Sequence, residues 1–227
     1  MTETPIRLAI ADDSWLIRSA LRELVATFPD VVLVAECATG DELTAAVDAE
    51  APDVVITDIR MPPSGDGEGL RVAARLRETH PGVGVIVLSQ YEEAAYGREL
   101  LSGGAGGRGY LLKEGVHDRV QLHGAIRVVA SGGTVIDPVM VDRLLAAEER
   151  RDRRLAELTP REREVLALMA QGRSNATIAD ELGLGKRAVE KHVGAIFSKL
   201  ELADEEIVSR RVTAVLLYLD GIAGGAT

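Results

Sequence analysis

A length of 227 residues suits one large or two ordinary domains, and 46% hydrophobic residues are enough for real cores, although aromatics supply only 3%. A net charge of −10 argues against nonspecific attraction of the whole chain to nucleic acid and leaves DNA binding open only to a locally basic part. No run of about 18 uncharged apolar residues occurs, so no membrane span is expected, and a strand beginning at Ile6 leaves no room for a signal peptide, which predicts a cytoplasmic location.

IRLAIA, from Ile6 to Ala11, reads as a first buried strand and runs into Asp12-Asp13. Ser14 to Thr27 follows as a helix, with Leu16, Ile17, Ala20, Leu21, Leu24 and Val25 at helical spacing, Ser14 as N-cap and Pro29 beyond its end. VVLVAEC is the second strand and would bury Cys37, which has no disulfide or metal-binding companion. A helix over Gly40 to Glu50 and Pro52-Asp53 lead to VVITDIRMP, where four apolar or β-branched residues deliver Asp58 to the C-terminal end of a strand. That end is where an open α/β sheet keeps its ligand crevice, although an Asp there can also be a turn former or a cap. Gly69 to His80 is helical, with Leu70, Ala73, Ala74 and Leu76 facing inward, and VGVIVLS closes a fourth strand at Ser89. Tyr91 to Leu101 can form a helix that SGGAGGRG cuts short, GYLLK ends a fifth strand at Lys113, and Val116 to Ser131 is a last helix with Val120, Leu122, Ile126 and Val129 inward.

Five strands alternating with five helices predict an α/β fold with a doubly wound, five-stranded parallel sheet of flavodoxin-like order 2-1-3-4-5. Right-handed crossovers then bring Asp12, Asp13, Asp58, Ser89 and Lys113 to one edge. Three carboxylates at the ends of two strands repel one another unless a cation joins them, and the hard, oxygen-seeking ion that fits is Mg²⁺. A carboxylate beside such an ion can attack a phosphoryl group, with a lysine and a small hydroxyl to receive the phosphoryl oxygens. With these residues in this order, the first 131 residues resemble the receiver domain of two-component response regulators. The resemblance implies Asp58 as phosphoacceptor, Asp12 and Asp13 with Asp58 as the metal-binding acids, Lys113 as the active-site lysine, and Ser89 and Tyr110 as the switch pair. It also implies a sensor histidine kinase as partner. The PSGDGEG stretch from Pro63 to Gly69 departs from the short turn common in that family.

Residues 132–157 read as a charged, helix-capable linker whose Arg150, Arg151, Arg153 and Arg154 are balanced by Glu148, Glu149, Asp152 and Glu157. A small all-α unit over 158–220 follows. Thr159-Pro160 with Glu162 is a helix start, Arg161 to Gln171 a helix bearing Val165, Leu166, Leu168 and Met169, and NATIADEL a second short helix closed by Gly183. KRAVEKHVGAIFSKL is the third, so the pattern is a helix-turn-helix. LTPREREVL, GRSNATIADELGL, Val189, His192-Val193, Ile196 and SKL resemble the C-terminal DNA-binding domain of LuxR/NarL-type regulators. Gly185, Ala188 and Glu190 depart from the Ser, Thr and Lys usual there. Between Arg161 and Leu200 seven basic residues face five acidic ones, and the outward positions Lys186, Arg187, Glu190, Lys191 and Gly194 are the expected DNA contacts. A fourth helix from Ile207 to Leu219, with Val208, Val212, Val215, Leu216 and Leu219, is the one by which this family pairs protomers on DNA; residues 221–227 are expected to be a tail.

The leading expectation is a phosphorylation-controlled transcription factor that binds double-stranded promoter DNA as a homodimer on activation, with no membrane partner and no external substrate to turn over. A signalling adaptor whose helical domain has lost DNA affinity is the alternative favoured by Ala188 and Glu190. A phosphatase using Asp58 covalently would need a second acid nearby, and Arg60 stands two residues on instead.

Overall fold

Alternating apolar runs and amphipathic stretches produce a helix-flanked sheet followed by a helical bundle. The computed structural model describes residues 4–90, 94–115, 118–202 and 207–224, with side chains described except at 115, 207–209 and 222–224, and they fall in two units, Met1–Leu144 and Leu145–Thr227. The first unit runs β1 (Ile6–Ala11), α1 (Trp15–Val25), β2 (Val31–Cys37), α2 (Gly40–Glu50), β3 (Val54–Asp58), α3 (Glu68–Thr79), β4 (Gly84–Ser89), α4 (Ala94–Leu101), β5 (Arg108–Leu112), α5 (Arg119–Ala130) and β6 (Thr134–Ile136). Helix α6 (Pro138–Ala156) begins in this unit and ends in the second, which continues with α7 (Pro160–Ala170), α8 (Asn175–Leu182), α9 (Lys186–Lys199) and α10 (Ile207–Gly224).

All paired strands are parallel, in the order β2-β1-β3-β4-β5-β6. The expected 2-1-3-4-5 order is present and is extended by β6, where Thr134 pairs with Arg108 and Ile136 with Tyr110. Three residues carry too little alternation to announce a strand in the sequence. Part of the stretch read as linker therefore belongs to the first unit, and Met140 near the start of α6 is fully buried there. The period of two along each strand sorts the core onto two faces. Val55, Val85, Val87, Tyr110 and Leu112 pack on one side with residues of α2, α3, α4 and α6. Leu8, Ile10, Val54, Ile56, Ile86 and Leu88 pack on the other with α1 and α5. Each fully buried aliphatic side chain contributes about 1.5–3 kcal/mol of transfer free energy.

Four apolar residues placed on the helical stripes of the first unit face solvent: Leu16 (61% exposed), Val120 (81% exposed), Ala20 and Ala74. Helical phase explains the first two. Leu122, Ala125, Ile126 and Val129 form the buried stripe of α5, and Val120 lies two residues, about 200°, before it. Leu16 is five residues from Leu21, about 140° around α1. Ser14 occupies the N-cap position of α1 without a capping hydrogen bond from its hydroxyl. The expected starts at Tyr91 and Val116 lie outside the described residues.

In the second unit Thr159 and Glu162 form the anticipated capping box: the Thr159 hydroxyl accepts from the Glu162 N–H at 3.3 Å and the Glu162 carboxylate accepts from the Thr159 N–H at 2.8 Å. Gly183 ends α8 in the left-handed conformation, φ 64°, and turns the chain into α9. Val189, Val193, Ile196 and Leu200 are buried against α7 and α8 residues. Among the described side chains of α10 the buried one is Ala214, while Val212, Leu216 and Leu219, named in the sequence as apolar residues of this helix, are exposed; the Val208 side chain lies outside the described residues. Among the described residues no helix is long and apolar enough to cross a membrane.

Candidate functional site

The register of β1 against β3 pairs Ala11 with Thr57, so the residues that follow, Asp12 and Asp58, leave the sheet side by side. Asp13 comes next, and one carboxylate oxygen from each of the three lies within 4.8 Å of the others. Lys113, just beyond β5, reaches back across the edge: its Nζ donates to Asp12 Oδ2 at 2.6 Å and stands 3.0 Å from Asp58 Oδ2. The other carboxylate oxygen of Asp12 and of Asp58 has a backbone partner. Asp58 Oδ1 accepts from the Ile59 N–H at 2.8 Å and Asp12 Oδ1 from the Ser14 N–H at 2.9 Å. Asp12, Asp13, Ser14, Ile17, Asp58, Arg60, Gln90 and Lys113 line a pocket of ≈ 310 Å³.

Burial pushes the Asp58 carboxyl above the usual carboxylate range, against the pull of the Lys113 ammonium, and the Asp12 charge adds to the rise. Burial would lower Lys113, but its hydrogen bond to Asp12 and the charges of Asp58 and Asp12 outweigh that and hold it above its ordinary value. Three carboxyl side chains thus face one lysine amine at this edge of the sheet. An all-oxygen, negatively charged donor set of this kind fits a hard divalent cation.

Ser89 ends β4 fully buried, one residue before the pocket-lining Gln90. The Tyr110 ring is 1% exposed, in the same apolar cluster as Leu100 of α4 and Met140 of α6. The structure thus gathers Asp12, Asp13, Asp58 and Lys113 in direct contact range, with Ser89 and Tyr110 buried on the neighbouring strands.

In the second unit α9 presents two faces. Lys186, Arg187, Glu190, Lys191 and Gly194 are all exposed, opposite the buried Val189, Val193 and Ile196. Lys186 Nζ lies 4.0 Å from Glu190 Oε1, an exposed pair. Gly185 stands at the N-cap without a side-chain bond to the helix. A β-carbon at Gly194 would meet nothing within 4 Å, so no packing within the chain requires a glycine there.

The family of response regulator receiver domains matches residues 8–127, and that of bacterial regulatory proteins of the luxR family matches 156–211. The chain belongs to the two-component response regulators with a LuxR-type helix-turn-helix. This response regulator is 32% identical over 222 residues to the transcriptional regulatory protein DegU of Brevibacillus brevis, covering 90% of this chain and 91% of the relative. It is 34% identical over 207 residues to the transcriptional regulatory protein UhpA of Escherichia coli, covering 91% and 97%. Among solved structures, the RcsB response regulator of Salmonella typhimurium aligns over 95% of this chain and 98% of its own, with a TM-score of 0.57 and 25% identity.

Residues that sequence reasoning did not single out complete the receiver's pocket. Arg18 donates from Nη1 to the carbonyls of Asp12 and Asp13, at 2.6 and 3.1 Å, and so braces the acidic turn. Arg60 and Gln90 supply part of the wall. Gly69, at the start of α3, donates its N–H to the Ile59 carbonyl at 3.0 Å, and a β-carbon there would stand 1.9 Å from the Asp58 carbonyl oxygen. Of these, Gly69 left a trace in the sequence as a glycine at a predicted helix start, and Arg60 was noted only as the residue two beyond Asp58 where a second acid would be needed.

Proposed function

We propose that this response regulator accepts a phosphoryl group on Asp58 from a sensor histidine kinase or a small acyl phosphate, and that the modified protein binds promoter DNA as a homodimer. The observation that carries the reading is the Lys113 ammonium within 3.0 Å of both Asp12 and Asp58 in a pocket that also holds Asp13. A carboxylate oxygen of Asp58 attacks phosphorus as the donor's P–N or P–O bond breaks, and the leaving imidazole or acetate keeps the electron pair. Lys113 shifts from the Asp58 oxygen to a phosphoryl oxygen, a charge-assisted contact already within reach. Asp12, Asp13 and Asp58 would hold Mg²⁺, which would supply neutralisation of charge on the phosphoryl oxygens. Ser89 is the hydroxyl for another phosphoryl oxygen, and Tyr110, buried beside α4 and α6 residues, is the ring that moves into the space vacated. Signal reception is assigned to residues 1–131 and DNA recognition to 158–220, with 132–157 between them; a regulator of promoters acts in the cytoplasm.

On DNA, Lys186 and Arg187 at the first turn of α9 are assigned to phosphates, Glu190 and Lys191 to base edges, and Gly194 to close approach of the helix. Dimerisation brings two such helices to adjacent half-sites, so phosphorylation raises affinity by mass action.

Two experiments test the reading. Incubation with acetyl phosphate and Mg²⁺ should add one labile phosphate by intact mass, absent in Asp58→Asn; a label that survives this substitution refutes the assignment. Selection from a random DNA pool should recover a sequence with two half-sites, and Lys191→Ala should relax preference where Arg187→Ala weakens all sequences alike. If neither the phosphorylated nor the unphosphorylated protein enriches any sequence, the output is protein interaction instead.

A further inference from the structure

Arg60, two residues beyond Asp58, forms wall of the same pocket as Asp12, Asp13, Gln90 and Lys113. Its guanidinium is also held from the side of α4. Nη2 donates to the Tyr96 hydroxyl at 3.1 Å, that hydroxyl donates to Asp66 Oδ1 at 3.2 Å, and Arg60 Nε lies 3.7 Å from the same carboxylate oxygen. Asp66 belongs to the PSGDGEG loop, and Tyr96 lies in the first turn of α4. The Tyr96 ring packs against the apolar cluster that contains Tyr110, Leu100 and Met140. The next residue, Gly97, lies close to α6: a β-carbon there would stand 3.1 Å from Met140 Sδ. One arginine therefore touches both the acidic pocket and the helix that abuts the start of α6.

We propose that Arg60 senses the phosphoryl group: once Asp58 is modified, the guanidinium leaves Tyr96 and Asp66 for phosphoryl oxygens, and α4 is released. The inference rests on the reading of Asp58 as phosphoacceptor. Its driving force is a difference between two anions. The Asp66 side chain is 79% exposed, so water and salt screen its single charge. An acyl phosphate is doubly or nearly doubly charged, offers three strong acceptors, and would sit among the buried Asp12 and Asp58 and the partly buried Lys113, where screening is weaker. A planar guanidinium can take two of those oxygens at once, which a tyrosine hydroxyl and one distant carboxylate oxygen cannot match. Tyr96 then keeps only its bond to the exposed Asp66 side chain, and the tie between the pocket and α4 is gone. A shift of α4 is transmitted at Gly97 to Met140 of α6 without passing through Ser89 or Tyr110.

The test uses the full chain as wild type, Arg60→Gln, Arg60→Lys and Tyr96→Phe, treated with acetyl phosphate and Mg²⁺. Intact mass comes first: if the wild type takes no label, or Asp58→Asn keeps it, the reading of Asp58 fails and the role of Arg60 falls with it. With labelling established, amide exchange is followed over α4. In the wild type, exchange from Ala94 to Leu101 is expected to rise on the order of tenfold on phosphorylation, the equivalent of one charge-assisted hydrogen bond. Arg60→Gln should exchange about that much faster before any phosphate is added and respond little afterwards. Arg60→Lys, which keeps the charge and loses the fork, should restore part of the response. Tyr96→Phe should loosen unphosphorylated α4 while taking up the label. The proposal is overturned if labelled Arg60→Gln shows the wild-type increment. It is equally overturned if Tyr96→Phe leaves the unphosphorylated exchange of α4 unchanged, an outcome readable even if Arg60→Gln does not fold.

Discussion

A β-carbon at position 69 would stand 1.9 Å from the Asp58 carbonyl oxygen, a backbone overlap that no side-chain rotation relieves. Gly69→Ala is therefore expected to destabilise the first unit by about 2–3 kcal/mol or more and to slow phosphoryl uptake by displacing Asp58. Gly124→Ala is the control, because a β-carbon on that exposed face of α5 meets nothing within 4 Å. It should stabilise by about 0.5–1 kcal/mol, the helix preference of Ala over Gly. Denaturant midpoints of the two variants measure both, and equal shifts would refute the packing argument. At this scale the acids were legible in the sequence because strand ends announce them: Asp12, Asp13 and Asp58 each follow an apolar run, and the sheet topology does the rest. Lys113 was legible for the same reason. Arg18 and Arg60 were not, since a long side chain on a helix or loop can reach in many directions, and only the fold selects the carbonyls of Asp12 and Asp13, or the Tyr96 hydroxyl, as partners.

Helix α7 starts on a device whose strength depends on pH. The 6% exposed Glu162 accepts from the Thr159 N–H and from Lys199 Nζ at 2.7 Å. Burial alone would raise its carboxyl; the Lys199 bond and the two Thr159 contacts outweigh this and hold it below its ordinary value. A lowered folded-state value means the stabilisation is fully present above the unfolded value of 4.5 and is lost as pH falls through the lower, folded one. Glu162→Gln keeps a carbonyl acceptor and loses the charge, so it should cost about 1–2 kcal/mol at neutral pH. Amide protection in α7 of the full chain should show that gap closing as pH falls below about 4.5, the side on which the downward shift places the loss. A gap that stays constant as pH falls below 4.5 would mean that the charge plays no part. The capping box was readable because three adjacent signals, Thr159, Pro160 and Glu162, agree, and the two faces of α9 were readable from its 3.6-residue period. Strand β6 escaped because three residues show no period, whereas the apolar stripe of α10 was legible in the sequence as a surface for pairing protomers. Val212, Leu216 and Leu219 face solvent in the single chain.

The chain as a whole carries a net charge of −10, yet seven basic residues face five acidic ones between Arg161 and Leu200. Attraction to DNA must therefore come from a few cations on α9 acting against the field of everything else, and ionic strength separates the two contributions. Each phosphate neutralised releases counterions and adds about −0.9 to the slope of log K against log salt. Lys186 and Arg187 give one protomer two such contacts, so a lone helix on a half-site should give a slope of about −2. A phosphorylated dimer spanning two half-sites doubles the contacts and should approach twice that slope. Arg187→Ala removes one phosphate contact per protomer and should flatten the dimer's slope by about 2 while leaving sequence preference intact. The long-range repulsion from the acidic remainder acts in the opposite direction: screening over roughly 8 Å at physiological salt weakens it first, so binding at very low salt should fall below the straight line drawn from higher concentrations. Titration of the phosphorylated and unphosphorylated full chain on one selected duplex, from low to moderate salt, measures all three effects. Equal slopes for the two forms would mean that phosphorylation adds no phosphate contacts. Dimerisation on DNA would then not be the step it controls.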